Sequence, residues 1–242
     1  MDVTFLGTGA ALPTGDRYQA GLVVDGEDPL LIDCGAGVLQ RLAQAGYDVT
    51  DVDTVLLTHH HLDHVADLPS LAKARWLADE PSMRIVGPPD TREYLGSYLA
   101  IDDLPERLEL TIDEREADAF ALADYRIETC ETVHSASGYA YRIDDALTIS
   151  GDTEAADRIA DFAGGTTLFH DCAYPDEDRS NHATPRALGD ALADTDLDAL
   201  YLTHLYPAAA DAAEEMQRTV AEYVDTEVRI ATDLATITVD AA

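Results

Sequence analysis

Lysine occurs once in this chain, as Lys73, and the other bases are all arginine. Against 48 acids there are only 15 bases, a formal net charge of −33. So lopsided a balance leaves no basic stripe to follow a nucleic-acid backbone, which argues against a general nucleic-acid-binding module. Cysteine is sparse: Cys34, Cys130 and Cys172 form no C-x-x-C pair. An odd, scattered set excludes a disulfide framework and reads as small residues in a reducing, cytoplasmic compartment. No apolar run approaches the ~18 residues of a membrane span. No export leader is visible, because Met1 leads straight into the strand-like residues 3–6.

The acids are spread along the chain and form no tail. High net charge often signals disorder, but an apolar content of 46% with regular periodicity argues for a globular fold. A dispersed acidic surface almost free of lysine resembles that of halophilic proteins, where salt screens the self-repulsion. At 242 residues, with no low-complexity linker, the simplest organisation is one domain over residues 1–242.

Strand signals fall at residues 3–6, 20–24 and 30–33, the last two forming a hairpin turned by residues 25–29. A helix follows from Gly37 to Gly46, then a strand at 55–58 and a helix at 68–78. Residues 83–87 read as a strand and 91–100 as a helix, while 101–123 are acidic and weakly patterned. Strands at 125–133, 138–143 and 147–150 come next. Then elements alternate: helix 154–162, strand 166–170, helix 184–193, strand 199–203, helix 208–224, and short strands at 227–230 and 236–239. Two groups of strands, each followed by helices, predict an α+β architecture of two mixed sheets packed face to face with helices outside.

Four of the eight histidines lie between positions 59 and 64, in Thr58-His59-His60-His61-Leu62-Asp63-His64. Three of them and the aspartate fit H-x-H-x-D-H. Neutral imidazole and carboxylate are the side chains that hold zinc and similar divalent ions in hydrolytic sites. The run sits after the apolar strand 55–58, where open sheets place their chemistry. Three further strand ends carry metal-binding residue types: His134, Asp152 after Gly151, and His204. Alone, each reads more readily as a structural residue. Together with the run they supply five histidines and two aspartates, enough for two ions.

This pattern resembles the metallo-β-lactamase fold, a four-layer αββα sandwich. The resemblance implies one ion held by His59, His61 and His134, a second by Asp63, His64 and His204, and Asp152 shared by both. Zinc suits such ligands best, with manganese or iron also admissible. Within the fold the chain is closest to the ribonuclease Z and small phosphodiesterase group. Phe5-Leu6-Gly7-Thr8-Gly9, Asp33-Cys34-Gly35-Ala36-Gly37, His182-Ala183-Thr184 and Asp233 match elements of that group. The group's P-x-K-x-R-N segment reads Pro13-Thr14-Gly15-Asp16-Arg17-Tyr18 here, so its lysine and asparagine are lost, and the basic arm that grips tRNA is absent.

The resemblance implies hydrolysis of a phosphodiester, of an RNA end or of a small or cyclic kind, by a hydroxide bridging two ions. His182 is then the general acid, Asp63 both ligand and orienter of the hydroxide, and Arg17 a substrate-binding residue. Other esters or sulfate esters are the alternative on the same fold. A non-enzymatic metal-stabilised protein ranks lower, because all seven ligand positions are filled. Related enzymes are commonly dimers, so a homodimer is admitted. His60 is expected to point away from the ions. His170 is read as a support behind the site, and Thr58 and Thr203 as hydrogen-bonding supports at its rim. Arg17, Lys73, Arg75 and Arg186 are the bases expected at the mouth. Trp76 and the eleven tyrosines read as core and rim rather than as a base-stacking platform.

Overall fold

The structure is a computed structural model that describes residues 1–100, 104–175 and 180–240. Its strands are β1 (Asp2–Gly7), β2 (Gly21–Val24), β3 (Leu30–Ile32), β4 (Thr54–Leu56), β5 (Ser82–Gly87), β6 (Glu109–Glu114), β7 (Ala119–Leu122), β8 (Tyr125–Glu131), β9 (Tyr139–Ile143), β10 (Leu147–Ile149), β11 (Thr167–Asp171), β12 (Ala199–Thr203), β13 (Val228–Ile230) and β14 (Thr236–Thr238). The helices are α1 (Val38–Ala45), α2 (Leu62–Val65), α3 (Leu68–Leu77), α4 (Thr91–Tyr98), α5 (Leu104–Arg107), α6 (Asp157–Ala163), α7 (Pro185–Leu192), α8 (Pro207–Asp211) and α9 (Ala213–Ala221).

The strands form two seven-stranded mixed sheets, in the orders β14-β1-β2-β3-β4-β5-β6 and β13-β12-β11-β10-β9-β8-β7. Period-two alternation decides which side chains lie between them. Phe5, Leu56, Phe169 and Tyr201 join one apolar core shared by both sheets. Their neighbours Leu6, Val55 and Leu57 turn the other way, onto the helices outside the first sheet. Leu168, Leu200 and Leu202 do the same on the second sheet, against residues of α7 and α9. Each central strand is thus buried on both faces, which explains its nearly unbroken apolar sequence. The result is the αββα sandwich of the metallo-β-lactamase fold.

One stretch left without assigned elements by the sequence is filled in, and one expected helix is corrected. The weakly patterned stretch holds α5, β6 and β7; of that stretch, residues 101–103 lie outside the described residues. β6 and β7 are the outermost strands of their sheets, with largely exposed side chains, so neither carries the apolar signature of a central strand. The helix expected over 208–224 is broken at Ala212, whose φ of −102° separates α8 from α9.

The parallel pairings matter most for the site. β3 runs parallel to β4, β10 to β11, and β11 to β12. Their C-terminal ends therefore open on one rim of the sandwich, each followed by a residue with a titratable side chain: Asp33, His59, Asp152 and His204, with Asp171 ending β11.

Candidate metal centre

Two groups of side chains converge at this rim. Ligand-type atoms of His59, His61, His134 and Asp152 lie within 4.8 Å of one another, as do those of Asp63, His64, Asp152 and His204. Asp152 belongs to both. Its Oδ2 is 3.6 Å from His59 Nε2, 3.9 Å from His134 Nε2 and 3.3 Å from His204 Nε2, while its Oδ1 is 3.2 Å from His64 Nε2. All seven residues singled out by type and spacing are therefore brought together. Gly151 at φ 59° allows this approach, since a Cβ there would stand 3.0 Å from the Thr58 Cβ. His204 itself adopts φ 58°, a left-handed conformation uncommon for a non-glycine residue.

Hydrogen bonds behind the rings fix which nitrogen faces inward. His64 Nδ1 donates to Asp33 Oδ2 at 2.7 Å. Thr58 Oγ1 also donates to Asp33 Oδ2, at 2.7 Å, and lies 3.1 Å from His59 Nδ1, placed to accept its proton. His134 Nδ1 donates to the Asn181 carbonyl at 2.7 Å. In each ring Nδ1 is engaged outward and Nε2 is left for the centre, the arrangement that orients metal ligands. By sequence Asp33 is only part of a turn; its role follows from the pairing of β3 with β4.

The charges fit a divalent cation. His59 Nε2, His64 Nε2 and His204 Nε2 are buried and have no hydrogen-bond partner, a costly state for polar atoms unless something is bound there. Burial and the neighbouring His64 hold His59 well below the usual imidazole range, and burial pushes His204 down to about 4. Both shifts favour the neutral ring that ligation requires. Burial alone would raise Asp152, but His204, His64 and His59 outweigh it and keep the carboxylate ionised. His64 is held up by Asp152 and Asp33 against the opposing effect of burial. The carboxylates therefore draw positive charge to this point, and a cation held by Nε2 atoms supplies it. The donor set of imidazoles and carboxylates suits a divalent ion.

His182 lies beside the centre, before α7. Its Nδ1 donates to Asp171 Oδ2 at 2.7 Å, and its ring stacks on His204 with centroids 5.3 Å apart. Burial alone would lower His182, but Asp171 outweighs it and raises it; burial pushes the Asp171 carboxyl up to about 7 against the His182 hydrogen bond. The support expected from His170 thus comes from its neighbour. Along β11, Asp171 shares the inner face with Phe169, whereas His170 lies on the face of Leu168, and its Nδ1 donates to the Asp171 carbonyl. His60 points away, as expected, bonding Thr91 Oγ1 and stacking on Tyr94.

The bases expected at the mouth are placed elsewhere. Arg17 Nη1 donates to Thr8 Oγ1 at 2.5 Å and to the Ala231 carbonyl at 2.7 Å. It ties the loop after β1 to the segment after β13, where Asp233 accepts from the Thr8 and Tyr18 amides. Arg75 is buried and donates to the carbonyls of Val49, Thr50, Val52 and Ser82. Lys73 lies over the Trp76 ring, and Arg186 reaches Tyr223. The cleft over the centre is lined by His61, Asp63, His134, Asp152, His182 and neighbours, and no described residue in that lining is a lysine or arginine.

The sequence profile of one family, described as the anti-Pycsar protein Apyc1, matches residues 1–227. The chain belongs to that family. It is a hydrolase of the metallo-β-lactamase fold with ribonuclease Z relatives. Ribonuclease Z of Methanopyrus kandleri is 40% identical over 144 residues, covering 58% of this chain and 49% of that protein. Ribonuclease Z of Mycobacterium bovis is 28% identical over 263 residues, 91% of both chains. Among solved structures, the metallo-β-lactamase fold protein YhfI of Bacillus subtilis superposes with a TM-score of 0.85, at 22% identity over 98% of both chains. No described helix is long and apolar enough to cross a membrane.

Proposed function

We propose that this family member hydrolyses phosphodiester bonds at a centre of two divalent ions. His59, His61 and His134 hold one ion, Asp63, His64 and His204 the other, and Asp152 is shared. The observation that carries this reading is the convergence of both ligand groups on one carboxylate, with the His182–Asp171 pair beside them. The ribonuclease Z relatives support the same bond class. Zinc is the ion these ligands suit best, with manganese or iron as alternatives.

When bound, a pair of such ions supplies a water of lowered pKa and positive charge for the phosphate oxygens. Asp63 is placed to accept a hydrogen bond from the attacking water and aim it. His182, with Nδ1 engaged by Asp171, carries its other ring proton at Nε2 on the cleft side, where it serves the departing oxygen as general acid. Thr58 and Asp33 keep His59 and His64 in register. A cleft whose described lining has no lysine or arginine favours a small or cyclic phosphodiester, whose single charge the centre itself can meet, over a long RNA.

The test is turnover of bis(p-nitrophenyl) phosphate in molar KCl by metal-reconstituted protein, with a sulfate and a carboxylate ester alongside. Diester turnover abolished in Asp152→Ala and reduced roughly 10²–10⁴-fold in His182→Ala is expected. No diester turnover by a protein that holds two ions sinks the reading in favour of other esters.

A further inference from the structure

One carboxylate near the centre belongs neither to the ligand groups nor to the His182–Asp171 pair. Glu154 lies two residues past Asp152, half-buried, in the stretch between β10 and α6. Its Oε1 accepts a hydrogen bond from the Asn181 backbone N–H at 2.8 Å. The Asn181 carbonyl in turn accepts from His134 Nδ1 at 2.7 Å. Asn181 is therefore held at both of its backbone polar groups. Its φ is 71°, a left-handed conformation that asparagine tolerates better than most residues. His182 comes next, so the peptide that offers its carbonyl to His134 also carries the His182 nitrogen.

Glu154 is a firm anchor for this strap. Its own N–H donates to the Val133 carbonyl at 2.9 Å, and the Val133 N–H donates to Thr153 Oγ1 at 3.0 Å. The Thr153 N–H reaches Asp171 Oδ2 at 3.2 Å, the same oxygen that accepts from His182. Residues 152–154 thus pin the residue before His134, the carboxylate behind His182 and, through the Glu154 side chain, the residue before His182. The His134 and His182 rings meet at 62° with centroids 5.0 Å apart. A carboxylate accepting from a backbone N–H makes one of the stronger hydrogen bonds in a protein. Without it, Asn181 can return to commoner backbone regions, which turns its carbonyl off His134 and re-aims His182.

We propose that Glu154 is a positioning residue: through Asn181 it holds His134 turned to its ion and His182 turned to the departing oxygen, so that a metal ligand and the general acid are set together. Its hold on His182 rests on the phosphodiesterase reading, whereas its hold on His134 needs only the metal centre.

Zinc affinity by chelator competition, on the full chain in molar KCl, tests this with Glu154→Ala and Glu154→Gln. The alanine variant should hold one of its two ions roughly 10–100-fold more weakly, the usual effect of losing a group that orients a ligand, and keep the other. Glutamine retains an accepting oxygen, so Glu154→Gln should bind both ions like the wild type. Amide hydrogen exchange at Asn181 should quicken in the alanine variant alone. In diester turnover Glu154→Ala should lower kcat with KM little changed. The loss should be larger with diphenyl phosphate than with bis(p-nitrophenyl) phosphate, because a poorer leaving group depends more on the general acid. Wild-type zinc affinity and Asn181 exchange in Glu154→Ala overturn the proposal, as does a glutamine variant as damaged as the alanine one. Both ions weakened alike, with a lower Tm and equal losses on the two esters, also overturns it and leaves Glu154 a structural tie. Absence of diester turnover in a wild type that holds two ions counts against the phosphodiesterase reading alone, and zinc affinity and exchange then decide the hold on His134.

Discussion

Asp33 Oδ2 accepts a hydrogen bond from His64 Nδ1 at 2.7 Å, although neither residue lies near the other in sequence. The same oxygen accepts from Thr58, whose hydroxyl also meets His59. One buried carboxylate thus orients a ligand from each metal group. Asp33→Asn removes the charge and leaves one accepting oxygen where two are used, and metal affinity is expected to fall roughly 10–100-fold. Chelator competition on the purified variant measures it; unchanged affinity contradicts an orienting role.

The His182–Asp171 pair sets a pH dependence. Burial opposes protonation of His182, yet Asp171 raises it overall, so the proton persists to higher pH than on an ordinary imidazole. A general acid is competent while protonated, so activity is present below this raised pKa and lost as pH rises through it. In Asp171→Asn the alkaline limb of kcat/KM should move to lower pH, and kcat should fall. A limb that stays in place assigns the proton to another group.

The turn after β3 is packed against the ligand loop. A Cβ on Gly35 would stand 2.0 Å from the Asp63 carbonyl and 3.0 Å from the Ala20 nitrogen, both backbone atoms. Gly35→Ala must therefore displace the segment that carries Asp63 and His64, and lowered metal occupancy with a lower Tm is expected. Gly96 is exposed in α4, and a methyl group added there would meet nothing within 4 Å. Gly96→Ala should instead stabilise the protein by roughly 0.5–1 kcal/mol through the lower backbone entropy of alanine. Thermal melts of the two variants side by side separate close packing from a general effect of losing glycine.

With a net charge of −33, self-repulsion opposes the compact state in dilute buffer. Added KCl shortens the screening length from about 10 Å at 0.1 M to about 3 Å at 1 M. The melting temperature should rise with KCl over this range. A Tm that is flat or falling contradicts the reading of the acidic surface as one suited to high salt.

Local adjacency made much of the site legible. His59, His61, Asp63 and His64 announce themselves because they share six positions, and His134, Asp152 and His204 because each lies just past a strand end. The central strands were legible for the same reason: burial on both faces demands unbroken apolar runs. β6 and β7 were not, because an outermost strand with exposed side chains has no such demand on its sequence. The break at Ala212 was hidden by an alanine-rich run whose helical character continues on both sides.

The sequence by itself determined the chemistry available: the ligand types, their number, and an acidic surface with one lysine. Tertiary structure decided which groups cooperate. Strand pairing put Asp33 behind His64 and Thr58, and alternation along β11 gave His182 the carboxylate of Asp171 while turning His170 outward. Packing drew Arg17 and Arg75 into the scaffold and away from the cleft, because a guanidinium that finds several carbonyls or hydroxyls in place is held there. Such partnerships depend on residues far apart in the chain, so composition and spacing carry no record of them.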